Sequence, residues 1–209
     1  MLQSSTMQTL RVLILSLCVS TFLALTGAAC ANDPVAESTQ APSIQMAEPA
    51  EATPAQSFAD DTGPKGVPNY TRVDATIACA GATPPEAMLD LKNHGFASII
   101  NFRTDGERGE TNEAGKAAAE DAGLRYFHLP FRDPTPELAE AFLKTVTDPM
   151  NQPAYIHCGS ANRVGAMWLV KRVKIDGWSV EEATAEAEAI GLRSASLKKF
   201  ALDYLAGRM

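Results

Sequence analysis

The chain has 209 residues and a formal net charge of −7 at pH 7, so it is acidic overall. No basic run of residues indicates a nucleic-acid-binding surface. Of its four cysteines only Cys79 and Cys158 lie beyond residue 66, and two are too few for a disulfide framework or a zinc site. We therefore expect no metal, no cofactor and no nucleic-acid partner.

Residues 1–30 predict an export signal, because Arg11 precedes an uncharged apolar stretch over 12–29 that ends in small residues. A transmembrane anchor is the alternative, since the stretch approaches the length that spans a bilayer. Cleavage before Cys30 as a lipoprotein signal would leave a lipid-anchored Cys30. Ordinary cleavage after Ala29 or Ala31 would release a soluble protein, and both alternatives remain open. We expect an exported, periplasmic protein that meets the membrane only through this signal or a lipid anchor.

Residues 31–66 predict a disordered tether. They include five prolines, six acidic residues, one lysine and one aromatic residue, which is too little apolar surface to offset the entropy of an ordered chain. Because the tether holds most of the net negative charge, residues 67–209 are nearly neutral and do not exclude an anionic substrate. Those residues suffice for one domain with its own core.

Apolar runs and helical periodicity alternate along residues 67–209. The predicted elements, in chain order, are a strand over 72–80, a helix from an N-cap at Thr83 to Gly95, a strand over 96–102, a helix over 112–122, a strand over 124–129, a helix after the breaker 133–136, a strand over 154–157, and helices over 164–173, 179–190 and 194–206. This order predicts an α/β fold, with a mostly parallel four- to five-stranded sheet and helices on both faces. Ligands of such sheets bind outside the carboxyl ends of the strands.

A short polar loop joins the predicted strand over 154–157 to the next helix. Cys158 begins this loop, and Arg163 follows five residues later as the helix starts. Backbone N–H groups of a tight loop and a helix N-terminus bind a phosphoryl group and favour a thiolate at their centre. An arginine at this position can bind two phosphoryl oxygens bidentately. Cys158 and Arg163 are therefore the predicted nucleophile and anion-binding cation.

The other residues of the loop have supporting roles in this prediction. Gly159 supplies backbone freedom, and the loop is completed by Ser160, Ala161 and Asn162. The side chains of Ser160 and Asn162 are expected to brace the loop or the thiolate. His157 is expected to order the loop from behind through side-chain hydrogen bonds. The alternative is that Cys158 is an inert packing residue.

Leaving-group protonation requires a general acid, for which Asp133 is the candidate because it follows a strand end in a breaker-rich loop. Its alternative role is the N-cap of the following helix, which Thr135 could fill instead. Arg132 is either solvated or contributes to anion binding, and His128 is expected to be structural. Arg103, in the loop with Asp105, Glu107 and Glu110, either supports the site or belongs to a solvated turn.

The chain resembles the beta-lactamase-hydrolase-like (BLH) phosphatases, a bacterial branch similar to dual-specificity protein tyrosine phosphatases. The resemblance covers nearly all of residues 67–206. It rests on Asn69-Tyr70, on the segments 100–103 and 123–130, and on the Cys158 loop with Gly165 beyond it. It implies a cysteine-phosphatase fold, attack by Cys158 on phosphorus and a cysteinyl-phosphate intermediate. It also matches Arg103 to an arginine of the family.

The loop departs from the tyrosine phosphatase pattern in two ways. Four residues rather than five separate Cys158 from Arg163, and Val164 replaces the usual hydroxyl residue after the arginine. The short loop argues against a standard phosphotyrosine substrate, although the BLH-like branch is similarly shortened. The missing hydroxyl predicts slow release of the thiolate in the second step. The substrate is expected to be a phosphorylated small molecule or protein.

Cys79 ends the first predicted strand, where it could approach the loop. In an oxidising compartment it is a candidate redox partner that would trap Cys158 as a disulfide; otherwise it is a buried small hydrophobe. Two other functions compete with the phosphatase. A rhodanese-like sulfurtransferase also uses a strand-end cysteine, and a catalytically weak module would bind anions without efficient turnover.

Overall fold

The computed structural model describes residues 61–107 and 112–209. The predicted export signal, Cys30, most of the predicted tether and Glu110 lie outside the described residues. No helix within the described ranges is both long enough and apolar enough to cross a membrane.

Among the described residues, five short strands form one sheet in the order β1-β2-β5-β3-β4. They are β1 Thr71–Asp74, β2 Ile77–Ala80, β3 Ser98–Asn101, β4 Arg125–His128 and β5 Ala154–His157. β1 runs antiparallel to β2, and every other pairing is parallel. The predicted α/β class with a mostly parallel sheet is confirmed. The last strand in the chain, β5, occupies the centre of the sheet.

The prediction of one strand over 72–80 is wrong, because the chain turns back after β1. The Asp74 carboxylate accepts hydrogen bonds from the Thr76 backbone N–H at 2.8 Å and the Thr76 hydroxyl at 2.7 Å. An aspartate that binds the backbone two residues on is a turn-forming device, so two antiparallel strands form where the apolar run suggested one. Thr71 consequently pairs with Cys79.

Helices cover both faces of the sheet. α1 Met88–Asn93 and α2 Asn112–Asp121 pack on one face with a core that includes Phe96 and Tyr155. The opposite face carries the larger core, which includes Phe142, Trp168 and Phe200 on its helices. These helices are α3 Pro136–Thr147, α4 Asn162–Lys174, α5 Val180–Ile190 and α6 Ala195–Leu205. Short 3₁₀ helices occupy Pro85–Ala87 and Pro149–Asn151.

Two helix starts differ from the prediction. Thr83 does not cap a helix, because its hydroxyl hydrogen-bonds the Tyr155 hydroxyl at 2.6 Å in the core and Pro84 occupies the cap position. α4 begins at Asn162, earlier than the predicted 164, so the loop between β5 and α4 is shorter than expected. Thr135 caps α3 by accepting a hydrogen bond from the Leu138 N–H.

Candidate active site

The predicted loop lies at the carboxyl end of the central strand. β5 ends at His157, beside Ala80 of β2 and Asn101 of β3. The Cys158 N–H donates to the Ala80 carbonyl at 3.4 Å, which holds the start of the loop against the neighbouring strand. Because parallel strands direct their carboxyl ends to one edge, the loops after β2, β3 and β4 converge on this point.

A left-handed residue closes the loop. Ala161 has φ of 65° and serves as the N-cap of α4 without a side-chain cap. Gly159, expected to supply backbone freedom, is not among the residues with positive φ, so the left-handed position of the loop falls on Ala161 instead. A left-handed residue costs an alanine on the order of 1–2 kcal/mol, but successive amides then turn toward one centre, as in anion-binding nests. The α4 N-terminus adds its dipole to the same centre.

Three neighbours fix the loop from outside. The Asn162 side-chain oxygen accepts from the Arg193 N–H at 2.9 Å and the Ser194 N–H at 3.1 Å, which ties the start of α4 to the α5–α6 connection. The Asn69 side chain donates to the Ser160 carbonyl at 3.3 Å. Asn162 therefore braces the loop through its side chain, whereas Ser160 does so through its backbone. Gly191 packs directly against Ala161.

Arg163 is held in a fixed position. Its Nη1 donates to the Phe102 carbonyl at 2.9 Å and the Phe131 carbonyl at 2.7 Å, while Nη2 lies 2.5 Å from the Glu107 carboxylate. Both charged side chains are largely buried, at 12 % exposed for Arg163 and 19 % for Glu107. Burial raises the pKa of Glu107, but the hydrogen bond and charge of Arg163 outweigh it, so the pKa is lowered.

Arg103 supports Glu107 rather than the Cys158 loop directly. Its side chain is buried, and its Nη2 donates to the Glu107 carbonyl. The Arg103 N–H donates to the Asn101 side chain at 2.8 Å, and its carbonyl bonds His128 Nε2 at 2.8 Å. The loop after β3 is thus held by hydrogen bonds of the Arg103 backbone and of the Arg103 side chain. His128 has a structural contact, in line with its predicted role.

Asp133 lies exposed in the loop between β4 and α3. Thr135 caps α3, so the alternative role of Asp133 as N-cap is not used. The same loop is anchored to the site, because the Phe131 carbonyl accepts from Arg163 and the Phe131 ring centroid lies 5.9 Å from the guanidinium carbon. Asp133 is therefore two residues from a direct contact of Arg163.

His157 does not order the loop through side-chain hydrogen bonds. Within the described residues neither ring nitrogen has a hydrogen-bond partner, and the side chain is buried. Burial, together with the charges of Arg103 and Arg163, lowers the pKa of His157 to about 3. His157 is consequently a neutral packing residue, tilted against Tyr155 with ring centroids 5.9 Å apart. This corrects the predicted role.

Cys158 and Cys79 are both buried free thiols in the same core. Cys79 pairs in register with Ile156, and Cys158 lies two residues further along, so the two thiols are diagonal neighbours on one face of the sheet. Burial raises the pKa of Cys79 well above its ordinary value. The disulfide between them stays a prediction.

An open depression of about 450 Å³ lies beside Arg163 and is lined by Glu107, Arg132 and Arg163. No group of three or more histidine, cysteine or carboxylate side chains suited to a metal ion occurs in the described part of the chain. The site therefore consists of a thiol, a loop of amides and cationic side chains, a set of groups suited to an anion.

Sequence reasoning missed the role of Glu107. The residue belongs to the polar turn after β3, but its ionic partner Arg163 lies 56 residues later, and no local pattern joins them. The brace from Asn69 and the close approach of Gly191 were missed for the same reason. The only local hint was an acidic residue four positions after Arg103 in a turn beside a predicted strand end.

Known proteins resemble this chain in sequence. Residues 69–174 match the family described as "Beta-lactamase hydrolase-like protein, phosphatase-like domain". A beta-lactamase hydrolase-like protein of Agrobacterium fabrum is 31 % identical over 106 residues, which are 47 % of this chain and 24 % of that protein. One from Xylella fastidiosa is 29 % identical over 123 residues, 57 % of this chain and 27 % of that protein. The chain spans about a quarter of the length of these relatives.

Solved phosphatase structures share the fold. A putative phosphatase from Shewanella putrefaciens superposes with a TM-score of 0.58 at 16 % identity, covering 73 % of this chain and 94 % of that one. The catalytic domain of the PP-IP phosphatase SIW14 from S. cerevisiae gives 0.56 at 19 % identity, covering 68 % and 86 %. At such low identity these likenesses establish a cysteine-phosphatase-like fold only.

Proposed function

Because the chain belongs to the family of phosphatase-like domains of beta-lactamase hydrolase-like proteins, we propose that it hydrolyses a phosphomonoester through a cysteinyl-phosphate intermediate on Cys158. One observation carries the proposal. The Cys158 loop leaves the central strand, ends at the α4 N-terminus and lies next to a buried arginine that is already oriented. Family membership supports phosphate over the persulfide chemistry of a sulfurtransferase.

In the first step the Cys158 thiolate attacks phosphorus, and the bond from phosphorus to the leaving oxygen breaks. Loop amides and Arg163 stabilise the charge on the other phosphoryl oxygens. Asp133, as general acid, gives its proton to the leaving oxygen. Its position two residues from Phe131, whose carbonyl bonds Arg163, supports this assignment.

In the second step the Asp133 carboxylate takes a proton from water. The water oxygen attacks phosphorus, and the bond from sulfur to phosphorus breaks to restore the thiolate. Glu107 and Arg103 act as positioning residues, since they hold Arg163 and the loop after β3 without a required contact to substrate. Val164 offers no hydroxyl to the departing thiolate, so this step is expected to limit the rate.

The proposed setting is outside the cytoplasm, on the basis of the sequence pattern of residues 1–30, with a phosphorylated small molecule or protein as substrate. An oxidising setting would endanger the thiolate, so assays of the mechanism need a reductant.

The direct test is hydrolysis of an aryl phosphate under reducing conditions by the wild-type chain and by Cys158→Ser. We expect hydrolysis that is abolished in the variant, because serine is a far weaker nucleophile at neutral pH. Arg163→Lys is the matched variant for the anion site and should lose most activity, since lysine cannot bind two oxygens in one plane. Activity retained in Cys158→Ser would refute the mechanism.

A further inference from the structure

We infer that Arg132 forms a second anion-binding position beside the Cys158 loop, so that the substrate carries a second phosphate or carboxylate near the phosphate that is cleaved. The statement about the substrate rests on the proposed function. The anion-binding position itself can be tested by binding alone, without turnover.

The first observation is the shape and lining of the surface. The depression of about 450 Å³ beside Arg163 is bordered by two arginines, Arg132 and Arg163, and by one carboxylate, Glu107. The depression is open to solvent and is shared by both arginines, so it leaves room for an anionic group beside the phosphate bound by Arg163.

The second observation is the state of the two arginines. Arg163 is paired with the Glu107 carboxylate, and its Nη1 also donates to two carbonyls. Arg132 is exposed, and within the described ranges no acidic side chain lies within ion-pair distance of it. The depression is therefore lined by one cation that is paired and by one, Arg132, that has no acidic partner among the described residues.

The third observation is that Arg132 does not sit on a free-standing loop. It adjoins Phe131, whose carbonyl and ring both contact Arg163. The backbone next to Arg132 is thereby tied to the first cation, and both side chains line one depression, so we expect two phosphoryl groups linked by a short bridge to contact both arginines. Asp133 is the other charged group of this segment, and it does not border the depression.

Arg193 provides a matched control. It is also exposed and lies next to the Cys158 loop, because its N–H donates to Asn162. Its guanidinium, however, points back to the Gly191 carbonyl at 3.4 Å, and it does not border the depression. Replacing Arg193 removes the same charge from the same end of the molecule without removing the proposed contact.

The experiment compares binding of inorganic phosphate and pyrophosphate by titration calorimetry to Cys158→Ser chains that also carry Arg132→Ala or Arg193→Ala. We expect pyrophosphate to bind the parent tighter than phosphate, and Arg132→Ala to reduce that ratio roughly five- to tenfold. Arg193→Ala should leave the ratio unchanged, and Arg132→Lys should restore part of it. An unchanged ratio in Arg132→Ala, an equal loss in Arg193→Ala, or no pyrophosphate binding overturns the inference.

A kinetic arm separates the two anionic groups. Wild type and Arg132→Ala are compared on 3-carboxyphenyl phosphate and on its methyl ester. If Arg132→Ala loses the wild-type preference for 3-carboxyphenyl phosphate over its methyl ester, a carboxylate is enough to occupy the second anion position. If Arg132→Ala loses only pyrophosphate binding, the position is specific for phosphate. If the wild type hydrolyses neither of these two aryl phosphates, the proposed function fails. The ratio of pyrophosphate to phosphate affinity from calorimetry still decides the role of Arg132.

Discussion

A single carboxylate governs the position of Arg163, the proposed anion-binding cation. Glu107 contacts Arg163 directly and accepts Arg103 through its backbone carbonyl, so one residue joins two arginines that lie 60 positions apart in the chain. Without the carboxylate, Arg163 would keep its two carbonyl partners but lose its only charged one among the described residues. Glu107 therefore contributes to the alignment of the Arg163 guanidinium.

We predict that Glu107→Gln lowers kcat/KM for an aryl phosphate about tenfold, which corresponds to roughly 1.4 kcal/mol of transition-state stabilisation. The pKa of Glu107 is lowered in the folded state, so the ion pair is fully present above the usual glutamate range and weakens as the pH falls through the lowered value. In Glu107→Gln the pH profile of kcat/KM should therefore lack the decline at low pH that comes from protonation of Glu107. Glu86→Gln, an exposed change away from the site, is the control for kcat/KM and for the pH profile.

Val164 is the second residue whose chemistry decides the rate. It is fully buried in the core that also contains Cys158, and it provides no hydroxyl. We predict a burst of phenol release in the wild type, followed by a slow steady state. Val164→Thr should raise the steady-state rate by roughly threefold or more and reduce the burst, because a hydroxyl can stabilise the departing thiolate.

Rapid-quench kinetics measures both phases, and Val164→Ala is the control that shortens the side chain without adding a hydroxyl. A linear time course in the wild type, with the thiol free throughout, would contradict rate-limiting dephosphorylation.

The residues of this site differ in how visible they are in the sequence. Cys158 and Arg163 could be predicted because the strand, loop and helix that present them are consecutive in the chain. Glu107 could not, since its partner belongs to an element that comes much later. His157 was assigned hydrogen bonds that it does not make, because its surroundings depend on side chains from three strands. Thr83 likewise has a local cap signature, but a distant tyrosine competes for its hydroxyl.

At the scale of elements, the Cys158 loop takes its shape from the connection between α5 and α6. Gly191 has φ of 145°, and a Cβ placed on it would lie 3.0 Å from the Ala161 Cβ and 3.3 Å from the Ser160 carbonyl. The two loops therefore approach more closely than side chains normally allow. The Asn162 side chain also joins the same two loops by hydrogen bonds. These hydrogen bonds keep the loops from moving apart, and the contact at Gly191 keeps them from moving closer.

We predict that Gly191→Ala lowers the free energy of unfolding by about 1–3 kcal/mol and also lowers kcat/KM, because the added methyl displaces the left-handed turn of the Cys158 loop. Gly177→Ala is the matched control, since Gly177 also has a positive φ of 73° but has no neighbour within 4 Å of an added Cβ. Urea unfolding should detect a loss in both variants, and aryl phosphate kinetics only in Gly191→Ala. Unchanged kinetics in Gly191→Ala would show that the contact does not shape the site.

The parallel register of β2 and β5 brings the two thiols together. We predict that peroxide oxidises Cys158 to a sulfenic acid, whose oxygen leaves as water when the Cys79 sulfur forms the disulfide. Diagonal neighbours on a sheet lie near the upper limit of disulfide geometry, so the start of the loop must shift. The raised pKa of Cys79 keeps it a thiol at neutral pH, and the reaction should quicken as the pH rises.

Peptide mapping after peroxide treatment should find the linked pair, and a thiol reductant should restore activity. Cys79→Ala should be inactivated without recovery. Equal recovery in the wild type and in Cys79→Ala would exclude a protective role for Cys79.

For the whole molecule, the buried His157 couples stability to pH. Its pKa is about 3 when folded, against an ordinary value of 6.5, so between these values the unfolded chain binds a proton that the folded chain does not. Stability from this residue is complete above pH 6.5 and is lost as the pH falls toward 3. The slope is about 1.4 kcal/mol per pH unit.

We predict that wild type loses about 2 kcal/mol more than His157→Gln between pH 6.5 and pH 5, measured by urea unfolding. His94→Gln, which changes an exposed histidine, is the control and should behave like the wild type. A parallel pH dependence of wild type and His157→Gln would mean that the histidine is not held neutral.

The general architecture was accessible from the order of elements alone, because alternating strands and helices admit few arrangements. The two helical layers and the parallel sheet are as predicted. The antiparallel β1 was not, because the turn at Asp74 lies within an apolar run and only its side-chain hydrogen bonds reveal it. Short four-residue strands give a weak periodic signal, so such details depend on tertiary contacts.

The central place of β5 has a consequence for the order in which the chain can assemble. Before residue 154 is available, β1 pairs only with β2 and β3 only with β4, leaving two separate ribbons with open inner edges. The strand that joins them is the one that ends at Cys158. Sheet closure and formation of the proposed reactive centre are therefore one event, and a nascent chain that stops short of β5 contains neither. Because the joining contacts are distant in sequence, this closure is expected to be the slow step of folding.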